Sequence, residues 1–318
     1  MLRFLLAVMA LLMAAPSAFA QYPERPIRLI VPFAPGGGGD LQARLMAGAI
    51  APLLGQPLVV ENRAGAGGNI GTVAVAQAEA DGYTLLFTTP AFAINESLYA
   101  RAGYAVGRDF AAVAPWATSP MVFVVNPSLP VQTLGELVAY ARANPGRITF
   151  ASGGVGLITH IGQELLKFQQ RLDMVHAPYR GQAPAITDLI SGQVQMSLDS
   201  PFSSIPFIRA GRLRALATTG ERRTATLPEV PSVVEAGFPD LVATIWYGVV
   251  APARTPPAAL ARLNQAVQTA LASPETQRAL AQNGAEPFPQ DVPTHDRFLR
   301  TEVARWAEVI RAARIQVE

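Results

Sequence analysis

Apolar and polar positions follow two alternating patterns along most of the chain. Residues 27–31 are almost continuously apolar, as expected for a strand buried inside a parallel sheet. A glycine-containing turn follows, and then Leu41, Leu45 and Ala49 recur at the spacing of one helix face. The same order of strand, turn and helix is repeated afterwards. This repetition predicts an α/β fold with two parallel-core sheets flanked by helices.

The pattern also gives approximate bounds for the individual elements. Strands are predicted at 27–31, 58–60, 83–89, 147–151, 194–198 and 212–218, with a further short strand that ends near His176. Helices are predicted from the N-cap Asp40 to Gly55, at 157–170, and at 256–272, 274–283 and 291–313. Two further helices are predicted by their ends: an alanine-rich helix that ends at Ala80 and a helix that ends at Ser191.

The length of the chain fits two domains. Its 318 residues, of which 50% are hydrophobic, suffice for two separate cores. Because no internal repeat or low-complexity linker separates two halves, we expect the domains to be interleaved through short crossover strands. Domain 1 is predicted to comprise residues 22–121 and 225–318, and domain 2 residues 122–224. The crossover strands are expected near Val122–Val125 and Ala215–Thr219.

The N-terminal residues 1–20 have the features of a secretory signal peptide. Arg3 supplies a positive charge, residues 4–15 are apolar, and Ala18-Phe19-Ala20 fits the small-x-small cleavage rule. Pro16 ends the apolar stretch too early for a membrane-spanning helix. We therefore expect cleavage near Ala20 and a periplasmic protein. The chain has no cysteine, which excludes disulfides, thiolate chemistry and cysteine-bound zinc.

Charge and histidine content exclude several other functions. The formal net charge is only +2, without the basic excess that nucleic-acid backbones attract. The three histidines are dispersed, and no carboxylate cluster has the spacing of metal ligands. The sequence therefore predicts no nucleic-acid partner, no metal and no cofactor.

Two glycine-rich loops carry the main functional signal. Residues 33–40 read FAPGGGGD and residues 152–156 read SGGVG, and each loop connects a predicted strand to a predicted helix. Free backbone N–H groups and the helix dipole make such a turn an anion site. No G-x-G-x-x-G is in register, and a Walker A motif fails because Phe168 follows the only lysine, Lys167. Each loop alone is also compatible with an ordinary tight turn. Two such loops, each at the carboxyl ends of the strands of its own sheet, together favour a binding site in which a small anion is held between the domains.

Several longer segments resemble a known receptor family. They are YPERPIRLIVPFAPGGGGDLQAR (22–44), GQPLVVENRAGAGGNIG (55–71), DGYTLL (81–86), PYRGQAPAITDLISGQV (178–194), GRLRALATT (211–219) and LPEVPSVVEAGFP (227–239). Together they resemble the substrate-binding proteins of tripartite tricarboxylate transporters, the Bug family. This resemblance covers essentially the whole mature chain. It implies a bilobal class II periplasmic-binding-protein (Venus-flytrap) fold that closes on a small carboxylate. A membrane permease or a sensor protein is the implied partner, and the receptor is expected to be a monomer.

The resemblance also implies a set of ligand-binding residues. Leu157 departs from the pattern, because the family often has a hydroxyl residue there. This change favours a more apolar acid or leaves the contact to Thr159 and backbone amides. The candidate residues are Phe33, Ala34, Gly37, Gly38, Asp40, Thr88, Thr89, Ser152, Gly154, Gly156, Thr159, His160 and Asp199.

A serine hydrolase is the alternative. Ser152, His160 and Asp199 supply the residue types of a catalytic triad. No G-x-S-x-G elbow surrounds Ser152, however, and nothing in the sequence obliges these side chains to meet. The sequence therefore favours a binding protein without catalytic residues. Two roles stay open for Asp199: accepting a hydrogen bond from the ligand, or fixing the hinge.

Overall fold

The computed structural model describes residues 22–315, which form two β-sheets with helices packed against them. The predicted signal peptide lies outside the described residues. The strands are Ile27–Val31 (β1), Leu58–Asn62 (β2), Thr84–Thr88 (β3), Phe110–Pro120 (β4), Val122–Val125 (β5), Thr149–Ser152 (β6), Val175–Pro178 (β7), Met196–Asp199 (β8), Arg214–Thr218 (β9), Thr244–Pro252 (β10) and Glu286–Pro287 (β11). The helices are Gly38–Leu54 (α1), Asn69–Ala76 (α2), Pro90–Leu98 (α3), Val106–Asp109 (α4), Leu134–Ala143 (α5), Ile158–Gln170 (α6), Gln182–Ser191 (α7), Pro201–Arg209 (α8), Pro257–Ala272 (α9), Pro274–Gln282 (α10) and Val292–Ala313 (α11), with short 3-10 turns at Ala66–Gly68 and Pro239–Leu241.

The first sheet has the strand order β11-β4-β10-β3-β1-β2. Strand β1 pairs in parallel with β2 and β3, as the sequence predicts. Strand β10 is antiparallel to both β3 and β4, and β11 is antiparallel to β4. The parallel core is therefore three strands wide, and an antiparallel extension that the sequence analysis does not predict completes the sheet.

The second sheet is built in the same way, with the order β7-β6-β8-β5-β9. Strand β6 is parallel to β7 and β8, whereas β5 is antiparallel to β8 and β9. All its strands come from one continuous stretch, between Val122 and Thr218. Both sheets thus combine a parallel core with antiparallel strands.

The two connections between the sheets lie side by side. The predicted crossover strands are β5 and β9, which pair within the second sheet, and the chain passes between sheets at Met121 and again over residues 219–243. Thr219 N–H donates to the carbonyl of Met121, and the Met121 N–H donates to the Thr219 hydroxyl, both at 2.8 Å. The Ala243 N–H donates in turn to the Thr219 carbonyl at 3.0 Å. These hydrogen bonds join the two connections.

His295 is a buried imidazole in the packing of α11 against the first sheet. It is fully buried, and neither ring nitrogen has a hydrogen-bond partner within the described part of the chain. A β-carbon at Gly248 of β10 would lie 3.1 Å from its Nε2 atom. Burial lowers the pKa of His295 to about 3, so the ring is neutral at pH 7 and leaves its N–H unpaired.

Replacing His295 with leucine is expected to stabilise the fold by about 1–2 kcal/mol at pH 7, because an unpaired buried donor is removed. The folded-state pKa lies below that of the unfolded chain, so this histidine costs stability as the pH falls below about 6.5. The advantage of His295→Leu should therefore grow towards pH 5. Urea unfolding at pH 7 and pH 5 measures it, and equal stability at both pH values would contradict it.

Candidate functional site

The first glycine loop leads from β1 into α1. Gly37 is the N-cap of α1, has extended backbone and makes no side-chain capping bond. The prediction that Asp40 is the N-cap is therefore wrong. The glycines at 38 and 39 let the helix begin before Asp40, which lies in the first turn and reaches back to accept the Gly36 N–H at 2.9 Å. The helix thus starts without a side-chain acceptor at its N-cap.

Asp40 fixes this loop to the neighbouring strand. Besides the Gly36 N–H, its carboxylate accepts hydrogen bonds from Asn62 Nδ2 at 2.8 Å and Arg44 Nε at 3.1 Å. Asn62 Nδ2 also donates to the carbonyl of Phe33 at 3.0 Å. Burial of the carboxyl raises its pKa, but the hydrogen bonds from Arg44, Gly36 and Asn62 outweigh this and hold the pKa below its ordinary value. Asp40 is therefore an ionised anchor of the loop.

Thr88 and Thr89 lie at the carboxyl end of β3, beside a small cavity. The Thr88 hydroxyl is buried and has no partner among residues 22–315, while the Thr89 hydroxyl accepts the Ala91 N–H at 3.4 Å and caps α3. The cavity volume is about 10 Å³, which is room for about one water molecule. Its lining includes Pro32, Phe33, Gly67, Gly68, Thr72, Thr88, Thr89 and Asn95.

Three residues of the cavity lining, Gly67, Gly68 and Asn95, are not among the predicted ligand contacts. Gly67 and Gly68 belong to a third glycine-rich turn between a strand and a helix, and Asn95 Nδ2 donates to the Gly67 carbonyl at 2.8 Å. The run AGAGG at 64–68 is a detectable signal, because it has the same strand–glycine–helix arrangement as the loops 33–40 and 152–156. Asn95 has no comparable sequence signal.

The second glycine loop leads from β6 into α6, and much of its backbone is bonded to its own side chains. Gly153 N–H donates to the Thr159 hydroxyl at 3.2 Å. Gly154 N–H donates to the Ser152 hydroxyl at 3.3 Å, and Gly156 N–H points at His160 Nδ1 at 3.4 Å. Three side chains that the sequence predicts as ligand contacts therefore bond to the loop itself and hold its shape. Leu157 caps α6 without a side-chain hydrogen bond.

The triad Ser152–His160–Asp199 is not formed. Ser152 Oγ is instead 2.7 Å from Nε2 of His176, and the His160 ring stacks on the His176 ring with centroids 4.0 Å apart. Asp199 accepts hydrogen bonds from Ser200 N–H and the Ser203 hydroxyl, both at 2.8 Å, and none from a histidine. The sequence missed His176 because it lies on β7, next to β6 in the sheet but distant in the chain.

Both stacked histidines are neutral at pH 7. Burial, followed by the charge of His176, lowers the pKa of His160 to about 3. Burial, followed by the charge of Lys167, lowers the pKa of His176 to about 4. Neither ring therefore offers a positive charge to an anion at neutral pH.

Asp199 is fully buried at the end of β8. Its Oδ2 atom has no partner in the described part of the protein, and burial raises its pKa to about 7 against the hydrogen bonds from Ser203 and Ser200. Its neighbour Ser200 meets the first loop: a β-carbon at Gly38 would lie 3.5 Å from Ser200 Cβ. Asp199 thus lies directly behind a contact between the two halves.

The glycine loops from the two sheets contact each other elsewhere as well. A β-carbon at Gly181, the N-cap of α7, would lie 3.5 Å from Ala34 Cβ. One at Gly67 would lie 2.5 Å from the carbonyl oxygen of Val155. The structure therefore shows a closed arrangement in which loops of the first sheet meet loops of the second.

Metal binding and membrane insertion find no support in residues 22–315. No group of three or more histidine or acidic side chains there could hold a metal ion. None of the helices in this range combines the length and apolar character that crossing a membrane requires.

Comparisons with known proteins agree on one family. Residues 42–315 match the model of the tripartite tricarboxylate transporter family receptor. Protein BugT of Bordetella pertussis is 40% identical over 303 residues, which is 94% of this chain and 92% of BugT. The structure of the periplasmic binding protein BugD superposes with a TM-score of 0.88 at 34% identity, covering 93% of this chain and all of BugD. The structure of R. palustris Rpa4515 with adipate gives a TM-score of 0.89 at 35% identity, covering 93% of this chain and 99% of that one.

Proposed function

This chain belongs to the tripartite tricarboxylate transporter receptor family, and from that membership we propose that it binds a small organic carboxylate between its glycine loops. As a member it is a periplasmic solute-binding receptor with a bilobal flytrap fold. The observation that carries the proposal is the meeting of glycine loops from two sheets beside α1 and α6, whose N-caps make no side-chain hydrogen bonds.

Backbone amides suit this task physically. Amides at a helix start are neutral and already oriented, and the helix dipole favours a negative charge there. An arginine used instead would have to be desolvated. Micromolar binding requires about 8 kcal/mol. Several charge-assisted hydrogen bonds of about 1.5–3 kcal/mol each, together with closure around the ligand, can supply that free energy.

The ligand class follows from the same features. Adipate, a dicarboxylate, is bound to the R. palustris relative. In this chain Leu157 brings an apolar side chain to the second loop, where its Cδ1 would lie 3.3 Å from a β-carbon at Gly153. We propose that the pocket accepts an acid with an apolar carbon chain, and that the amides read only its carboxylate.

A thermal-unfolding screen against aliphatic, amino and aromatic carboxylates at fixed ionic strength tests the function. A ligand at 100 times its Kd should stabilise the protein by about 2.7 kcal/mol, an upward shift of several degrees. Gly37→Ala should abolish the shift. A β-carbon there meets nothing closer than 3.7 Å in the protein itself, so the fold tolerates it.

Gly48→Ala is the matched control for this screen, because Gly48 lies in the same helix with open space around it. Its ligand-induced shift should equal that of the parent. No shift with any carboxylate, or an unchanged shift in Gly37→Ala, would contradict the proposed site.

We further propose that the receptor acts as a monomer and delivers its ligand to a membrane permease or to a sensor. Residues 22–121 with 225–318, and residues 122–224, would be the two lobes. Catalysis has no place in this proposal, although Ser152 and His176 are hydrogen-bonded. Hydrolysis of a generic ester that disappears in Ser152→Ala would contradict the receptor function.

A further inference from the structure

Two glycines face the opposite loop rather than open space. A β-carbon at Gly156 would overlap Asn95 Oδ1 and lie 3.2 Å from Asn95 Cγ. A β-carbon at Gly67 would lie 2.5 Å from the carbonyl oxygen of Val155, closer than real β-carbons approach other atoms. Both positions therefore exclude a side chain because the other half of the protein is already there.

Asn95 lies between these two glycines. It is 1% exposed, its Nδ2 donates to the Gly67 carbonyl at 2.8 Å, and its Oδ1 has no partner among the described residues. That oxygen is the atom that faces Gly156. The donated hydrogen bond holds the loop 65–68 in place, so that Gly67 presents its bare Cα to Val155.

We propose that Gly67, Asn95 and Gly156 form a closure latch, in which Asn95 is a positioning residue for the loop 65–68. The glycines allow the loops 65–68 and 152–156 to approach, and the Asn95 amide keeps the first loop in the conformation that fits the second. A side chain at Gly67 or Gly156 would hold the two halves apart, so the latch permits the closed arrangement even without ligand. It rests on the proposed function only in taking the two halves to separate for ligand entry.

A cysteine pair at another contact between the two halves can measure closure without any ligand. The reporter is Gly38→Cys with Ser200→Cys, because a β-carbon at Gly38 would lie 3.5 Å from Ser200 Cβ, at the short end of the disulfide range. The chain contains no other cysteine, so this is the only disulfide that can form within one molecule, and dimers linked between molecules are separated from it on a non-reducing gel. The initial rate of cross-linking under oxidant then follows the fraction of closed molecules.

Gly156→Ala in this reporter should cross-link at least tenfold more slowly than the parent. Gly55→Ala is its matched control: Gly55 has a φ of 72°, close to the 82° of Gly156, but nothing lies within 4 Å of a β-carbon there. Its backbone strain is therefore similar, and its cross-linking rate should stay within twofold of the parent.

Asn95→Ala completes a double-mutant cycle. Alone it should slow cross-linking about threefold or more, because the loop 65–68 loses its hydrogen bond. In the double variant the cross-linking rate should be no lower than in Gly156→Ala alone, because the Asn95 oxygen that obstructs the new β-carbon is gone. Circular dichroism melting confirms that every variant is folded at the assay temperature.

Three results would overturn the latch: equal rates for Gly156→Ala and Gly55→Ala, losses that multiply in the double variant, or no cross-linking in the parent reporter. Because no ligand is present, each result is independent of the carboxylate screen. A working latch with no thermal shift would refute the carboxylate proposal alone.

Discussion

Replacing Asp199 with asparagine is expected to stabilise the folded protein by about 4 kcal/mol at pH 8. Burial raises the pKa of this carboxyl from 3.8 to about 7, so the folded state holds a proton that the unfolded state releases. The parent therefore loses stability as the pH rises from about 4 to 7, and ionised Asp199 remains a cost above that range. Asparagine is neutral throughout and still offers an oxygen to Ser200 N–H and to the Ser203 hydroxyl.

Denaturant unfolding of parent and variant from pH 4 to pH 8 measures this effect. The two proteins should have similar stability at pH 4 and diverge as the pH rises. Asp173→Asn, at an exposed aspartate of the same half, should leave the unfolding free energy unchanged throughout. A variant that is less stable than the parent at pH 8 would show that the Asp199 carboxylate is stabilising.

Asp40→Ala is expected to destabilise the fold by about 2–3 kcal/mol at pH 7 and to weaken ligand binding. The substitution leaves the Gly36 N–H, Asn62 and Arg44 without the carboxylate that accepts hydrogen bonds from all three. The native pKa of Asp40 lies below its unfolded value, so this stabilisation exists above about pH 4 and is lost at lower pH. Urea unfolding at pH 7 and pH 3 should show a difference that shrinks in acid.

Asp296→Ala is the control for Asp40→Ala. Asp296 pairs with Arg300 at the same four-residue spacing in a helix, but both side chains are exposed. Such surface pairs contribute only about 0.3–0.5 kcal/mol. If both variants lost the same free energy, the anchoring role of Asp40 would be wrong.

Hydrophobic periodicity predicted the elements whose contacts are local or uniformly buried. Strand β1 and the C-terminal helices were predicted to within a few residues, since a continuous apolar run and a sustained helical face each depend on nearby residues. The alanine-rich helix predicted through Ala80 ends earlier, at Ala76, because alanine favours a helix but does not fix its end.

Strands β4 and β10 were not predicted. Strand β4, FAAVAPWATSP, contains two prolines and small residues, which are weak strand formers, and its long pairing with β10 compensates through tertiary contacts. β10 is buried on both faces, so it has no alternation of polar and apolar positions to recognise.

The candidate site shows the same limit. The glycine loops and Asp40 can be found from the sequence because a strand, several glycines and a helix follow one another directly. The Ser152–His176 contact depends on the pairing of β6 with β7, and the contact between Asn95 and Gly156 depends on the meeting of loops from the two sheets. Both contacts join residues that are distant in the chain, so neither can be recognised from a short stretch of sequence.

The position of β10 constrains the order in which the protein can assemble. This strand lies between β3 and β4 in the first sheet, yet it comes from residues 244–252, after every strand of the second sheet. A chain emerging from its N-terminus can therefore complete the second sheet first. The position between β3 and β4 stays empty until residues 244–252 have been synthesised. Such long-range pairing slows folding, so the first sheet should be the last part to gain protection against proteolysis.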